Sequence, residues 1–266
     1  MPSVHHLTVD DGVHIAYSTH GEGEPPLVLV HGYTGSSLDW TDVVDALASR
    51  RTVVTYDHRG HGHSTNTGDE RSYSLERLTA DLEALVDHLG LARFHLLGHS
   101  MGGICAMRYA VAHPDRLCSL VLMDTAGSRL PQATDFFEAG FSIVRSGGMA
   151  ALLATTEPFL AAAPRGDVIR ERVRTKYGQM DPAAFLALGR ALMGYEGMLD
   201  RLAALTAPTT VIVGEHDLGL RPAADELAAT VPGAHLEVVA GAGHSPQEEQ
   251  TAAWLAAVER HLARVG

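Results

Sequence analysis

Cysteine is scarce in this chain: its 266 residues include two, Cys105 and Cys118. Two cysteines cannot build a disulfide scaffold, and a reducing compartment is the simplest setting for such a chain. Basic residues are also outnumbered. Twenty lysines and arginines face 32 aspartates and glutamates, a formal net charge of −12. That balance repels phosphate backbones and anionic headgroups, so neither nucleic acid nor a membrane is an expected partner. No apolar run approaches the roughly 18 residues of a membrane-spanning helix. The N-terminal Met-Pro-Ser-Val-His-His lacks the basic stretch and apolar run of a secretory leader. The expected location is cytoplasmic.

What is present reads as ordinary globular protein. Apolar residues make up 45% and charged residues 20%, which argues against global disorder. The length is near the upper size of one domain and suits one core with an inserted subdomain.

Val4–Val9 and Val13–Ser18 flank the turn signal Asp10-Asp11-Gly12 and read as a hairpin. The short run Leu27–Val30 suits a strand buried on both faces. Strand and helix patterns then alternate. Strands are expected at Val53–Tyr56, Phe94–Leu97, Leu120–Met123, Thr210–Val213 and Leu236–Val239. Helices are expected at Leu75–Leu89, Met101–Ala112, Pro222–Val231 and Gln247–Val265. This rhythm argues for an α/β fold with a mostly parallel sheet and helices on both faces. It breaks between Thr125 and Ala207, where only helix-like stretches appear: Asp135–Arg145, Met149–Thr155, Asp167–Tyr177, Pro182–Met193 and Met198–Leu205. Gly147-Gly148, Pro158 and Pro164 punctuate them. Residues 1–124 and 208–266 are therefore read as the core, and 125–207 as an all-helical insertion.

Gly98-His99-Ser100-Met101-Gly102-Gly103 sits between an expected strand and an expected helix. That context suits a strained turn that exposes a nucleophilic serine at a helix N-terminus. A serine in a plain glycine-rich turn is the bland alternative. Serine needs a base, and the base needs an orienting carboxylate. Asp217 and His244 each follow a late strand, at the sheet edge where open α/β folds form sites. His244 is the chosen base among 16 histidines. Asp217 is the chosen acid, with Glu215 and Asp124 as runners-up. For the oxyanion, one donor is expected from the backbone N–H of Met101. The other is expected from His31-Gly32-Tyr33-Thr34-Gly35, where the N–H of Tyr33 is chosen. The side chains of Tyr33 and Met101 would then line the pocket.

Four blocks carry a family resemblance in the expected order. They are His31-Gly32-Tyr33-Thr34-Gly35-Ser36-Ser37 with Trp40, Asp57-His58-Arg59-Gly60-His61-Gly62-His63-Ser64, Gly98–Gly103, and Gly214–Asp217 with Gly243-His244. Across nearly its whole length the chain resembles the α/β-hydrolase superfamily, most of all its small capped serine hydrolases. The resemblance implies an eight-stranded type of sheet and Ser100, Asp217 and His244 as triad. It also implies the Tyr33 and Met101 amides as oxyanion hole, and the helical insertion as a cap over the site. No cofactor and no metal are implied. The implied substrate is a small, largely apolar acyl compound, an ester first. Carbon–carbon bond hydrolases, enol-lactonases and perhydrolases of the family use the same triad. Small-molecule receptors and lyases or synthases share the fold. Relatives that cleave haloalkanes or epoxides carry aspartate where Ser100 stands.

The remaining features have bland readings. His58, His61 and His63 lack zinc-site spacing. Asp57 and Arg59 are expected in local turn contacts, and Cys105 and Cys118 as small buried hydrophobes. Phe136, Phe137, Phe141 and Phe159 are either a pocket wall or helix-packing core. Trp40 either reaches the pocket or packs the first helix.

Overall fold

Asp10-Asp11-Gly12 turns the chain, with Gly12 at φ +81°, and β1 (His5–Thr8) pairs antiparallel with β2 (His14–His20). This is seen in a computed structural model that describes residues 3–129, 134–162 and 166–265. Six further strands follow: β3 (Leu27–Val30), β4 (Val53–Tyr56), β5 (Phe94–His99), β6 (Leu117–Met123), β7 (Thr209–Gly214) and β8 (His235–Val239). They form one eight-stranded sheet in the order β1-β2-β4-β3-β5-β6-β7-β8. β2 meets β4 antiparallel, and every later pairing is parallel. The chain lays β4 on one side of β3 and β5 on the other. At such a reversal the loops after the two neighbouring strands diverge and leave a crevice at their C-terminal ends.

Side chains alternate across a strand, and β3 shows how that builds two cores. Val28 and Val30 join the layer holding α2 (Leu75–His88) and α3 (Met101–Ala112). Leu27 and Leu29 join the opposite layer with Trp40, α1 (Val44–Ala48) and α10 (Thr251–Val265). Trp40 therefore packs in the core, 6.2 Å from the Trp254 ring.

Between β6 and β7 the described residues form helices: α4 (Thr134–Ala162), α5 (Gly166–Gln179), α6 (Pro182–Met193) and α7 (Leu199–Leu202). The two helices expected on either side of Gly147-Gly148 appear as one helix kinked at Gly148, where φ is +67° and ψ −168°. The break lies where glycine permits it, but Pro158 does not end the helix. Pro164 lies outside the described residues.

Polar contacts tie these helices to the segments that follow β3, β4 and β8. Lys176 Nζ of α5 lies 2.5 Å from Asp39 Oδ1, and Arg172 binds Asp42 at 2.6 Å and Glu248 at 3.0 Å. The Asp181 carboxylate accepts from Tyr73 Oη and Gly68 N–H and also caps α6 through Ala183 N–H.

Three expectations are corrected here. β6 begins at Leu117, because Ser119 is a buried polar residue satisfied by His95 and His261 at 2.7 Å each. After α8 (Arg221–Thr230), the expected last helix is two pieces, α9 (Pro246–Glu249) and α10, split at Gln250 with φ −134° and ψ 54°. Arg59 is no local turn residue. It is 3% exposed and binds the 2%-exposed Asp81 of α2 through two 2.6 Å bonds, and Asp11 of the hairpin at 2.7 Å. Asp57 serves a local turn only in part: it accepts the His63 N–H six residues on, but also the Ser37 N–H 20 positions away in the loop after β3.

Candidate active site

Ser100 is the single residue between the last residue of β5 and the first of α3. Its backbone sits at φ +53°, ψ −118°, a conformation that costs an L-residue on the order of 1–3 kcal/mol. Surrounding bonds hold it there. Its N–H donates to Met123 O (2.9 Å), and its carbonyl accepts from Thr125 Oγ1 (2.7 Å). The flanking glycines are sterically required. A Cβ at Gly98 would lie 2.4 Å from Gly102 O, and one at Gly102 would lie 2.4 Å from Val30 O.

The loop after β3 closes on this turn. A Cβ at Gly32 would lie 3.1 Å from Ser100 Cβ. His31 fixes the loop. Its Nε2 accepts from His58 N–H at 2.9 Å and its Nδ1 lies 2.8 Å from Gly32 O. Burial keeps His31 neutral by pulling its pKa well below the ordinary value. The N–H of Tyr33 and that of Met101, at the α3 N-terminus, donate to no group among the described residues. First-turn N–H groups of a helix have no partner within the helix. Met101 lines the cavity as expected, but the Tyr33 side chain does not. It stacks 5.2 Å from Phe185 and donates its hydroxyl to Phe185 O at 2.6 Å, tying α6 to the core.

Asp217 and His244, 27 positions apart, meet at the ends of β7 and β8. His244 Nδ1 lies 2.6 Å from Asp217 Oδ2. Burial works against the Asp217 carboxylate, but the hydrogen bond and charge of His244 outweigh it and hold its pKa below the ordinary value. His99 supports the His244 loop from below, its Nε2 2.8 Å from His244 O. Burial pushes the His99 pKa down to about 3, so its ring is neutral. Glu215 is exposed and accepts from Gly241 N–H at 2.8 Å, away from His244. The other runner-up acid, Asp124, is fully buried beside the pair.

Ser100 and His244 line one cavity of about 190 Å³. Its apolar wall comes from Ile104, Ala126, Phe137, Leu192 and Leu220. Phe137 is thus a wall residue. Phe141 is core, fully buried against Phe185. The side chains of Phe136 and Phe159 lie outside the described residues. Tyr195 also lines the cavity, and its buried hydroxyl has no hydrogen-bond partner among the described residues. Nothing in the sequence around Tyr195 announced it.

Among the described residues, Asp124, Asp217 and His244 alone bring three donor atoms of metal-ligating type within 4.8 Å of one another. The 2.6 Å His244–Asp217 bond and the Gly214 N–H bond to Asp124 account for that grouping. His58 and His61 are buried beside His31 as packed rings, while His63 is exposed. Cys105 is buried, which pushes its thiol up to about 12. Cys118 is only half-buried, short of the burial expected of it.

A mostly parallel sheet with a strand–serine–helix turn at its reversal point defines the α/β-hydrolase class. The profile of the α/β hydrolase fold family matches residues 25–251, and the chain belongs to that family as an enzyme of the hydrolase fold. It is 27% identical to the enol-lactonase from Burkholderia xenovorans LB400, covering 97% of this chain and 100% of that one, with a TM-score of 0.86. A thermophilic esterase from Thermogutta terrifontis is also 27% identical, with 99% of both chains covered and a TM-score of 0.85. A Bacillus subtilis (strain 168) protein, provisionally named a 2-succinyl-6-hydroxy-2,4-cyclohexadiene-1-carboxylate synthase, is 29% identical over 260 residues. That match covers 92% of this chain and 93% of the relative.

Proposed function

We propose that this enzyme hydrolyses a small, largely apolar carboxylic ester through an acyl-enzyme on Ser100. The observation that carries the reading is the 2.6 Å contact between His244 Nδ1 and Asp217 Oδ2, at a histidine that shares a cavity with Ser100. With Nδ1–H directed at Asp217, Nε2 is the nitrogen left to take the serine proton. Ser100 Oγ attacks the acyl carbon as His244 removes its proton. The carbonyl oxygen becomes an oxyanion that accepts from the N–H groups of Tyr33 and Met101. The positive end of the α3 dipole favours the same charge. Collapse expels the alcohol, which takes its proton from His244. Water then attacks the acyl-enzyme, again deprotonated by His244, and the acid leaves with Ser100 restored. An oxyanion donor of this kind is typically worth about 10²–10³ in rate.

The cavity, about 190 Å³, exceeds the ~150 Å³ apolar cavity that accepts benzene. An acyl group of roughly that size fits this reading. Residues 125–207 act as a cap in it, since Phe137 and Leu192 come from the helices between β6 and β7. Lactone opening is the second reading, supported by the similarity to an enol-lactonase. Its acylation step is the same. A synthase reading would need proton abstraction with no acyl-enzyme.

The test is an activity screen over short and long acyl esters, lactones and vinylogous diketones, with wild type and Ser100→Ala side by side. Turnover of a small ester by wild type only is expected. Ester turnover that persists in Ser100→Ala would overturn the reading.

A further inference from the structure

Asp124 is a buried acid that the steps above leave without a task. It directly follows β6 and is 0% exposed. Its backbone φ is +42°. Among the described residues only Thr34, Ser100 and Asp124 combine a side chain with positive φ. Thr34 follows Tyr33 in the loop after β3, while Ser100 and Asp124 directly follow β5 and β6 and line the same cavity. Strain of this kind persists only where surroundings over-determine it. Here Asp124 N–H donates to Ile212 O at 2.9 Å, and Asp124 Oδ1 accepts from Gly214 N–H at 2.9 Å.

Carboxyl oxygens of Asp124 and Asp217 and a ring nitrogen of His244 lie within 4.8 Å of one another. The ionisable groups facing Asp124 are Asp217 from the loop after β7, and His244 and Glu249 from the segment after β8. Glu249 is engaged by the N–H groups of Gly243 and Ser245. Among the described residues no lysine or arginine pairs with Asp124. A fully buried carboxylate beside a half-buried one that is already ionised, with no lysine or arginine to pair it, is driven to the protonated form. Asp217, bonded to His244, is the one held ionised. Among the described residues the second oxygen of Asp124, Oδ2, is buried and receives no N–H or O–H donor, and the side chain that meets this carboxyl is Asp217, as befits an oxygen that itself carries hydrogen.

We propose that Asp124 is a protonated positioning residue whose Oδ2–H donates to Asp217, locking the carboxylate that orients His244. The proposal rests on the triad reading of Ser100, Asp217 and His244. Burial pushes the Asp124 pKa up to about 9; the Gly214 N–H opposes this and Asp217 adds to it. Below that pH Asp124 is a donor. Above it the donor is lost and a second negative charge repels Asp217 from its line to His244.

The experiment follows the rate of labelling by a fluorophosphonate probe from pH 6 to 10.5. It compares the full-length wild type with Asp124→Asn, Asp124→Ala, Asp217→Asn and Ser100→Ala. Asparagine supplies a carbonyl for Gly214 N–H and an amide donor for Asp217, and it cannot ionise. Wild type should slow above pH about 9. Asp124→Ala should label at least tenfold more slowly than wild type at pH 7.5. Asp124→Asn should recover most of that loss and show no alkaline decline. Matching alkaline limbs in wild type and Asp124→Asn would overturn the proposal. So would fast labelling of Asp217→Asn beside a dead Asp124→Asn, which would make Asp124 itself the partner of His244. Should circular dichroism show Asp124→Ala unfolded, the wild type and Asp124→Asn profiles decide alone. Labelling that persists in Ser100→Ala removes the triad reading instead, a separate failure.

Discussion

Asparagine in place of Asp124 should stabilise the folded chain, by an amount that grows with pH. The Asp124 carboxyl has an ordinary pKa of 3.8 and is raised to about 9 by burial in the folded protein. Between those values the folded state holds a proton that the unfolded state has lost. Unfolded minus folded proton count is then near −1, so this group makes stability fall as pH rises, by about 1.36 kcal/mol per unit. Its contribution is fully present below pH about 4 and lost as pH climbs through about 9. At pH 7 the loss is 1.36 × (7 − 3.8), or about 4 kcal/mol. The Asp124→Asn variant would carry no such dependence. Urea denaturation of both proteins at pH 5, 6, 7 and 8, at matched ionic strength, reads the difference directly. The amide's fit sets a constant offset, and the slope is the signature. The variant-minus-wild-type stability should rise by about 4 kcal/mol from pH 5 to pH 8. A difference flat to within about 1 kcal/mol would refute the assignment of a buried proton to Asp124.

Other substitutions probe the frame around the site. Asp81→Ala strips the buried Arg59 of its two 2.6 Å bonds and should cost about 3–5 kcal/mol in urea unfolding; a loss under about 1 kcal/mol would contradict the buried pair. Lys176→Met leaves the 5%-exposed Asp39 without its partner on α5. It should cost about 3 kcal/mol and lower kcat/KM, because Asp39 also accepts Ser36 N–H in the loop beyond Tyr33. Retained stability in that variant would mean the α5 contact is not an anchor. Tyr195→Phe removes a buried hydroxyl that has no partner among the described residues. Its stability should rise by up to about 1 kcal/mol and its preference should move toward purely apolar acyl groups; destabilisation would show that the hydroxyl is bound.

The sequence was most informative where chemistry is local. Leu27–Val30 and Val53–Tyr56 form strands over the very residues expected, because each is a short run rich in β-branched or aliphatic side chains and buried on both faces. The strand–helix turn that carries Ser100 was legible because glycines at 98 and 102 leave room for backbone oxygens, and the place of His244 at the sheet edge because it follows a late strand. Reading failed where burial hides polar residues. Ser119 concealed the start of β6, and Arg59 looked like a turn residue although its partner lies 22 positions away. The Tyr33 side chain was misplaced for a related reason, since its partner Phe185 is 152 residues distant. Asp124 was visible only as a rival to Asp217. That the two lie together depends on β6 and β7 being neighbours, which no local spacing records.

Ester hydrolysis by this route requires a covalent intermediate on Ser100. Intact-protein mass spectrometry of acid-quenched enzyme turning over p-nitrophenyl acetate tests it most directly. A single acetyl adduct, mapped by peptide sequencing to Ser100 and missing from Ser100→Ala, is the predicted result. Turnover without any adduct, or an adduct that survives in Ser100→Ala, would contradict the account.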